Sequence, residues 1–320
     1  MGQLHEAIRT HGYEAARAMA AEADRPFVDL AAQALAHDPR DVAHLYSGFA
    51  MTALPHRQPT SSKEVWQRRN GPFSLTIEPG TLPAQLGRPP RFGVPYGSRA
   101  RLILIYLQTE AMRTGSPVVR LGHTMRDWML RMGVRSGGSS YAAVRDQAQR
   151  LSACVLTVGW STGGDHDETH QASIVETAML SPRHMQRGAW DESVRLSDAF
   201  FAALSQHPLP VSAPAVRAVQ NSSTVLDTYI WLCHRLGSVT KPVHKTWGDL
   251  HRQLGAEYKA VRQFRAKFVP TLKEALAVYP GANVEILDDG IRLLPSTPAA
   301  TVRRLVIIGK PAEARRWTGI

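Results

Sequence analysis

Apolar side chains recur along this chain with two spacings, one helical and one alternating. Apolar residues three and four positions apart predict one face of an α-helix. This spacing occurs twice, at Leu102, Ile105 and Tyr106 and again at Leu226, Tyr229 and Ile230. The sequence therefore predicts two long helices with similar patterns, one in each half of the chain.

A shorter helix is predicted after each long one. The segments TMRDWMLRMG at 124–133 and TWGDLHRQLG at 246–255 both begin with threonine and end with glycine. Threonine is a favoured N-cap, and glycine takes the left-handed conformation at a helix end without steric cost. We therefore expect the two threonines to cap these helices and Gly133 and Gly255 to end them.

A five-residue pattern then occurs twice, as YAAVR at 141–145 and as YKAVR at 258–262. Each copy is predicted to open a third helix whose apolar positions fall on one face. These positions are Val144, Ala148 and Leu151 in the first copy and Val261, Phe264, Phe268 and Leu272 in the second. The opposite face of each helix is polar and is available for binding.

Strand patterns follow each third helix. Alternating runs occur at 155–160 and 173–180, and NVEIL at 283–287 turns at Asp289–Gly290 into a second run; an earlier strand is predicted at 73–77. Three helices followed by a hairpin is the order of a winged helix-turn-helix. The predicted fold class is α+β, mainly helical, with tandem winged helix-turn-helix domains after an N-terminal helical arm.

The domain organisation follows from these elements and from the breakers between them. The arm is alanine-rich, with an apolar stripe at Phe27, Leu30, Ala31 and Leu35, and a proline-, serine- and arginine-rich stretch after it is predicted to be a linker. A short connection at 205–215 is expected to join the two winged-helix domains. The predicted boundaries are arm 1–55, linker 56–72, first winged-helix domain 73–205, second winged-helix domain 206–296 and C-terminal tail 297–320.

Charge changes this picture most. The formal net charge is +11 and the pI is near 10.0, yet the first fifty residues carry four Lys/Arg against seven Asp/Glu. A basic body behind an acidic arm is typical of a protein that binds a polyanion. The alternative is a protein that is basic without any polyanionic ligand.

The second copy carries most of the candidate DNA contacts. Between 241 and 274 there are eight Lys/Arg against three Asp/Glu. The third helix presents Lys259, Arg262, Gln263 and Lys267 on one side, with Arg265 nearby. Lys245 and Thr246 stand where the second helix begins and are expected to bind a phosphate together with its backbone N–H groups. Basic groups neutralise phosphates, and arginine and glutamine read base edges. A solvated helix face is the alternative.

The first copy offers Tyr141, Arg145, Gln149 and Arg150, but Asp146 lies among them and the hairpin tip GGDHDET at 163–169 is acidic. We expect this copy to bind DNA more weakly or to mediate dimerisation. The tip residues Asp165 to Glu168 and His170 carry carboxylate and imidazole groups that could bind a metal, which would make the protein a metal-dependent nuclease. A hairpin tip is commonly polar, so no metal is expected.

Other chemistry is missing from the sequence. It has no GxxxxGK[ST] phosphate loop, no nucleophile motif and no cofactor motif, so an enzyme is not expected. Cys154 and Cys233 have no partner at metal or redox spacing. The longest apolar run, 102–107, is far too short to span a bilayer. We expect a cytoplasmic protein without a membrane segment.

Three blocks of the chain resemble the RepA-type plasmid replication initiators of bacteria. They are VPYGSRARLILIYLQTEAMRTGS at 94–116, SYAAVRDQAQRLSACVLTVGW at 140–160 and PLPVSAPAVRAVQNSSTVLDTYIWLCHRL at 208–236. The resemblance implies a protein that binds repeated sequences (iterons) in double-stranded plasmid origin DNA, helps to open the duplex and recruits host replication proteins, such as a helicase or initiator. It also implies two winged-helix domains, the first forming a homodimer and the second holding DNA more firmly.

The resemblance implies recognition-helix positions at Tyr141, Arg145, Gln149 and Arg150 in the first copy and at Lys259, Arg262, Gln263 and Lys267 in the second. A winged-helix transcriptional repressor is the alternative from a neighbouring class. Direct repeats beside an AT-rich stretch would favour the initiator, and a lone inverted repeat over a promoter would favour the repressor.

Overall fold

A computed structural model describes residues 2–36, 38, 40–82, 91–135, 137–161, 169–176, 193–255 and 257–300. The fold is α+β, as the sequence predicts. The helices in these residues are α1 Gly2–His11, α2 Tyr13–Met19, α3 Arg25–Leu35, α4 Gly97–Thr114, α5 Met125–Arg131, α6 Gly138–Ala153, α7 Asp198–Gln206, α8 Ala213–Ala218, α9 Ser223–Leu236, α10 Trp247–Leu254 and α11 Val261–Ala277.

All strand pairs in the described residues are antiparallel. The strands are β1 Val42–Tyr46, β2 Trp66–Asn70, β3 Phe73–Glu78, β4 Gly80–Thr81, β5 Arg91–Phe92, β6 Val118–Arg120, β7 Val155–Ser161, β8 Thr169–Ser173, β9 Ser193–Arg195, β10 Pro208–Ser212, β11 Val243–Thr246, β12 Val284–Ile286 and β13 Gly290–Leu293. They form sheets of order β2-β3-β7-β8 and β11-β13-β12, and the pairs β1-β10, β4-β5 and β6-β9.

Two long helices lie at the centre of the molecule. Helices α4 and α9 bury side chains on most of their circumference, not on a single stripe, because other elements cover them on several sides. One continuous hydrophobic core runs from Ala43 to Leu293 and includes both helices. We call the part built on α4, α5 and α6 the first unit and the part built on α9, α10 and α11 the second unit.

The second unit has the helix, helix, helix, hairpin order that its sequence predicts. Strand β11 precedes α10 and pairs with β13, which also pairs with β12, so the three strands form one small sheet. Gly290 begins β13 where a Cβ atom would collide with the backbone carbonyl of Lys245. A glycine at this point therefore lets the hairpin pack against β11.

The first unit departs from that plan. Its strand β6 pairs with β9 and not with the hairpin that follows α6. The hairpin strand β7 pairs instead with β3, and β3 pairs with β2. The strands predicted at 73–77 and 155–160 are present. Of the strand predicted at 173–180, β8 ends at Ser173, so residues 174–176 do not continue it, and residues 177–180 lie outside the described residues.

Two segments predicted as connections form strands instead. Strand β2 lies within 56–72 and pairs over its whole length with β3, so this part of the chain is an edge of the largest sheet and not a free linker. Within 205–215, β10 pairs with β1, and Ser212 caps α8 by accepting a hydrogen bond from the Ala215 backbone N–H. Pairing with residues distant in sequence makes these strands, which local composition does not reveal.

The short helices begin as predicted. Thr124 accepts a hydrogen bond from the Asp127 backbone N–H at 3.1 Å, and Thr246 does the same for Asp249. Gly133 follows α5 with φ +72°, the predicted left-handed conformation. Gly255 has φ −107°, so the prediction that it is left-handed is wrong. Glycine is needed there for space, because a Cβ atom would lie 2.7 Å from ring atoms of His251 and Phe264.

The arm forms three helices and packs onto the second unit. Of the predicted stripe on α3, Ala31 is fully buried, and α3 packs against α11 and α8. His5 bonds the Ala277 carbonyl oxygen through Nε2 at 2.8 Å, and Lys273 lies 3.4 Å from Asp24. The arm residues up to Tyr46 are thus built into the molecule, since β1 pairs with β10.

Candidate nucleic-acid interface

The exposed polar side of α11 is the strongest candidate for a nucleic-acid interface. Phe264 and Phe268 anchor the opposite side, with their rings stacked at 4.8 Å and both side chains buried. The exposed residues are Lys259, which lies just before the helix, and Arg262, Gln263, Arg265 and Lys267. The stacked rings hold this helix in place, so its outward side chains stand on a rigid support.

Four of these side chains are available for binding. Within the described part of the chain, no ion-pair or hydrogen-bond partner faces Lys259, Arg262, Gln263 or Lys267. Three positive charges and one amide therefore lie together without internal neutralisation. Such a group suits a polyanion whose bases can also be read by hydrogen bonding.

Arg265 has a different position from its neighbours. Its guanidinium carbon lies 5.3 Å from the centre of the Trp247 ring, and its Nη2 lies 3.7 Å from the Asp288 carboxylate. These contacts direct Arg265 from α11 towards the start of α10 and the hairpin tip. Its charge is therefore partly offset within the second unit.

The start of α10 is closed by a capping box. The Thr246 hydroxyl and backbone N–H both donate to the Asp249 carboxylate, at 2.9 and 3.2 Å. These hydrogen bonds, the hydroxyl first, hold the pKa of Asp249 below its usual value. A carboxylate thus occupies the place at Thr246 where the sequence suggested a phosphate. Lys245, half-buried in β11, is the basic group that remains at this end.

The hairpin tip of the second unit is acidic. It carries Asp288 and Asp289, and Asp289 lies 3.2 Å from His244. On the strands behind the tip, Glu285 pairs with Arg292 at 2.8 Å. The prediction that the first copy binds DNA more weakly took account of acidic residues in the first hairpin only, although Asp288 and Asp289 are equally plain in the sequence. This tip therefore lacks the basic side chains that bind a phosphate.

The first unit presents a smaller set of candidates. Tyr141 and Arg145 are exposed on α6, and Gln149 is half-buried. Arg150 lies against its own unit: its Nε bonds Asp146 at 3.0 Å, and its guanidinium stacks on Tyr96 at 5.1 Å. With a side chain only 13% exposed, Arg150 serves packing more than binding.

The structure adds basic residues that sequence reasoning passed over. Arg68 and Arg69 lie on β2, inside the segment interpreted as a linker, and Arg68 stacks on Trp66 at 4.4 Å. The segment WQRRN has one apolar residue and no apolar/polar alternation, so the sequence gives no sign of a strand there. Lys273, counted with the basic residues of the second copy, instead contacts the arm at Asp24 and Phe27.

A cleft of about 220 Å³ lies where the two units meet. Arg68 and Arg69 line it from the first unit, and Asp227, Gln253 and Glu257 line it from the second. Burial lowers the pKa of Arg68, an effect that the nearby Glu257 opposes. Charges of both signs line the cleft, so it is not a simple anion site.

The acidic tip weighed as a metal site, Asp165 to Glu168 with His170, lies outside the residues whose side chains are described. Among the side chains that are described, no group of three or more His, Cys, Asp or Glu is placed to hold a metal ion. None of the helices described is both long and apolar enough to cross a bilayer.

Comparison with known proteins adds to this description. Residues 94–246 match the family model described as plasmid encoded RepA protein. None of the curated proteins matches the chain. Two solved structures of RctB, one of domains 2-3 and one of selenomethionine derivatives of domain 2 and domain 3, are similar at 13% identity and a TM-score of 0.46. They cover 77% and 72% of this chain and 94% and 84% of their own chains, respectively.

Proposed function

We propose, from the match of residues 94–246 to the family model described as plasmid encoded RepA protein, that this chain is a RepA-type plasmid replication initiator and that it binds repeated sequences in duplex origin DNA through two winged-helix modules. The second module, built on α9, α10 and α11, is the principal reader. Its element order, with β11 paired to the hairpin strand β13, supports a winged helix-turn-helix in which α11 is the recognition helix.

One observation carries the proposal. Lys259, Arg262, Gln263 and Lys267 form an exposed group without ion-pair or hydrogen-bond partners in the described part of the chain, on and just before a helix anchored by Phe264. The lysines neutralise phosphates, while arginine and glutamine side chains bond base edges in pairs of hydrogen bonds. Lys245 and Arg265 stand beside this group and add phosphate contacts at its border, while the Thr246 hydroxyl is held by the Asp249 carboxylate.

The first module is the weaker reader. It contributes Tyr141 and Arg145, with Gln149 at the margin, while Arg150 is drawn into the ion pair with Asp146. A smaller exposed basic group supports weaker phosphate binding. The same module is the proposed site of homodimer formation, in keeping with the expectation from the family resemblance.

Bound at an origin, the protein promotes opening of the adjacent duplex and recruits host replication proteins. The acidic arm is the proposed contact for those proteins. Its α3 is covered by α11, but Met19, the last residue of α2, exposes 71% of its surface. The arm therefore keeps an outward surface while its inner surface is held by the second unit.

A fluorescence-anisotropy titration tests this function. The probes are a labelled duplex carrying the direct repeats that the proposal requires beside the coding gene and a scrambled duplex of equal length, each at two salt concentrations. We expect at least about a hundredfold preference for the repeats, retained at the higher salt. Equal binding to both probes that is lost at the higher salt would mean that the protein binds DNA phosphates without sequence specificity.

Two variants test whether the exposed side of α11 contacts the bases. Gln263→Ala is expected to weaken binding to the repeats about tenfold while leaving the scrambled duplex unchanged, since it removes a base-reading group without removing charge. Arg113→Ala is the matched control, because this exposed arginine at the end of α4 pairs with Glu110 at 2.7 Å and lies in neither proposed reading helix. An equal loss in both variants would argue against reading by α11.

A further inference from the structure

The two units meet at a buried charged joint. Arg101 extends from α4 of the first unit, and Asp227 extends from α9 of the second unit. Only 5% of the Arg101 side chain is exposed. Residues 54–56, which lead from the arm towards β2, run beside both side chains. Three separate parts of the chain therefore meet at one guanidinium group.

Every N–H donor of Arg101 has an acceptor. Its Nε and Nη2 donate to the two Asp227 carboxylate oxygens, each at 2.7 Å. The remaining N–H groups donate to the backbone carbonyls of Leu54, Pro55 and Gly97 at 2.7, 3.2 and 2.8 Å. A guanidinium is planar, so a bidentate pair with a carboxylate fixes direction as well as distance.

His56 completes the joint. Its Nδ1 lies 3.3 Å from Arg101 Nη2 and 3.1 Å from the Ser223 hydroxyl, and its Nε2 lies 3.8 Å from Asp227. Burial lowers the pKa of His56, more than Asp227 raises it. The imidazole is therefore neutral at neutral pH and serves as a hydrogen-bonding spacer between the two units.

The rest of the contact between the units includes the continuous hydrophobic core and two single hydrogen bonds, Arg99 to Asn221 at 3.1 Å and Gln220 to the Gly133 carbonyl at 3.2 Å. Apolar burial is non-directional, whereas a bidentate guanidinium–carboxylate pair has a fixed geometry, so Arg101 and Asp227 lose their hydrogen bonds if α4 and α9 slide or rotate. Substituting both members of a buried ion pair with apolar residues often preserves stability, so such a pair can specify geometry more than it stabilises the fold.

We propose that the Arg101–Asp227 pair sets the distance and angle between α6 and α11, and thereby determines which spacing of half-sites on DNA the protein accepts. This inference rests on the proposed function, because it assumes that both helices read DNA. Two readers on one rigid frame gain binding energy only from DNA whose half-sites match that frame.

The first test measures the distance between the two units in the absence of DNA. Spin labels at Ala142→Cys on α6 and Ala266→Cys on α11, both exposed positions, report the distance between the units by pulsed electron spin resonance. The native thiols stay unlabelled, because Cys154 and Cys233 are buried and burial raises both pKa values. We expect a single narrow distance distribution in the parent protein.

Arg101→Met combined with Asp227→Leu removes both charges and leaves neither one buried alone. We expect this double variant to fold, as checked by circular dichroism, and to show a distance distribution at least twice as broad. Asp227→Asn, which keeps the shape and one acceptor oxygen, is expected to give intermediate broadening and serves if the double variant does not fold. Arg113→Met with Glu110→Leu, an ion pair within α4 alone, is the matched control and should stay narrow.

The second test measures spacing on DNA. The full chain selects duplexes from a random pool, and about half a helical turn is then inserted between the two segments that it protects. We expect the insertion to weaken the parent about fiftyfold or more and the double variant less than about fivefold.

The outcomes separate the two ideas. An unchanged distance distribution, or an equal spacing penalty in parent and double variant, would overturn the role of the pair. Failure of the parent to select any duplex, together with a broadened distribution in the double variant, would refute DNA reading and leave the joint as the determinant of inter-unit geometry.

Discussion

The two YxAVR segments have nearly the same five residues, yet they occupy different structural positions. In the first unit, YAAVR lies inside α6, which begins three residues earlier at Gly138. In the second unit, Tyr258 and Lys259 precede α11, which begins only at Val261. The prediction that each segment opens its helix is therefore wrong for both. The first segment begins after the start of its helix, and the second begins before it.

The difference arises from the length of chain before each segment. Tyr141 follows Gly133 by eight positions, whereas Tyr258 follows Gly255 by three. The shorter turn of the second unit is tight: the Tyr258 N–H donates to the Gly255 carbonyl at 2.8 Å, and the His251 ring bonds the Tyr258 carbonyl. The Tyr258 ring then packs edge-on against Phe264. The position of a YxAVR segment relative to the start of its helix thus depends on how far it lies from the preceding glycine.

Matched valine substitutions test this comparison with the largest expected effect. Val144 and Val261 hold the same place in the repeat, but Val144 is 1% exposed and Val261 is 40% exposed. We expect Val144→Ala to reduce the free energy of unfolding by about 2 to 3 kcal/mol, because it leaves a cavity. Val261→Ala should cost less than about 0.5 kcal/mol. Urea denaturation of each variant measures both, and equal losses would restore the equivalence of the two segments.

Matched arginine substitutions compare the units as readers of DNA. Arg262 and Arg145 are the last residues of the two segments, and both are exposed. We expect Arg262→Ala to cost about 1 to 3 kcal/mol of specific binding, since it removes a base-reading group on the principal module. Arg145→Ala should cost less than about 1 kcal/mol. Anisotropy titrations with the repeat duplex decide between them, and a larger loss for Arg145→Ala would reverse the ranking.

Features set by a few neighbouring residues could be predicted from the sequence. The caps at Thr124 and Thr246 and the left-handed Gly133 depend only on the adjacent turn. The strand at 73–77 has an alternating pattern of its own and is present as β3. The group on and before α11 is exposed as the helical periodicity indicated, because Phe264 and Phe268 fix which side is buried.

Features that depend on distant partners could not be predicted. Strand β1 pairs with β10 across more than 160 positions, so neither segment shows the pairing locally. Arg150 shares a polar helix face with Gln149, and only the fold brings Tyr96 beside it. Arg101 did leave a sign in the sequence, because it directly precedes the apolar run LILIYL. An arginine on a helix that other elements surround is buried, and a buried arginine requires an acidic partner.

Salt dependence separates basic residues that bind from those that pack. Lys267 is exposed on α11, whereas Arg150 is engaged by Asp146 and Tyr96. We expect Lys267→Ala to reduce the slope of log affinity against log salt by about 0.9, one phosphate contact. Arg150→Ala should leave that slope unchanged and lower the free energy of unfolding, because the largely buried side chain loses its packing on Tyr96 as well as its ion pair with Asp146. A reduced slope for Arg150→Ala would show that its side chain leaves Asp146 to bind DNA.

The smallest expected effect concerns the two threonine caps. Thr124 accepts one hydrogen bond from a backbone N–H, but Thr246 also donates to the Asp249 carboxylate, which lowers the pKa of Asp249 from its ordinary 3.8. A carboxylate whose pKa is lower in the folded state adds stability above its unfolded pKa, and this stability is lost as the pH falls through the folded pKa.

Asp249→Asn should therefore lower the midpoint of thermal unfolding at pH 7, and this difference from the parent should shrink as the pH is taken well below 3.8. Thr246→Ala removes the hydroxyl that contributes most to lowering the pKa of Asp249. The difference in unfolding midpoint between this variant and the parent should therefore also become smaller in acid. Thr124→Ala removes only one hydrogen bond to a backbone N–H, so its difference from the parent should not depend on the charge of Asp249 in this way. Calorimetric scans between pH 7 and pH 2.5 measure all three. An Asp249→Asn offset that stays constant across this range would mean that the carboxylate charge adds nothing to the capping box.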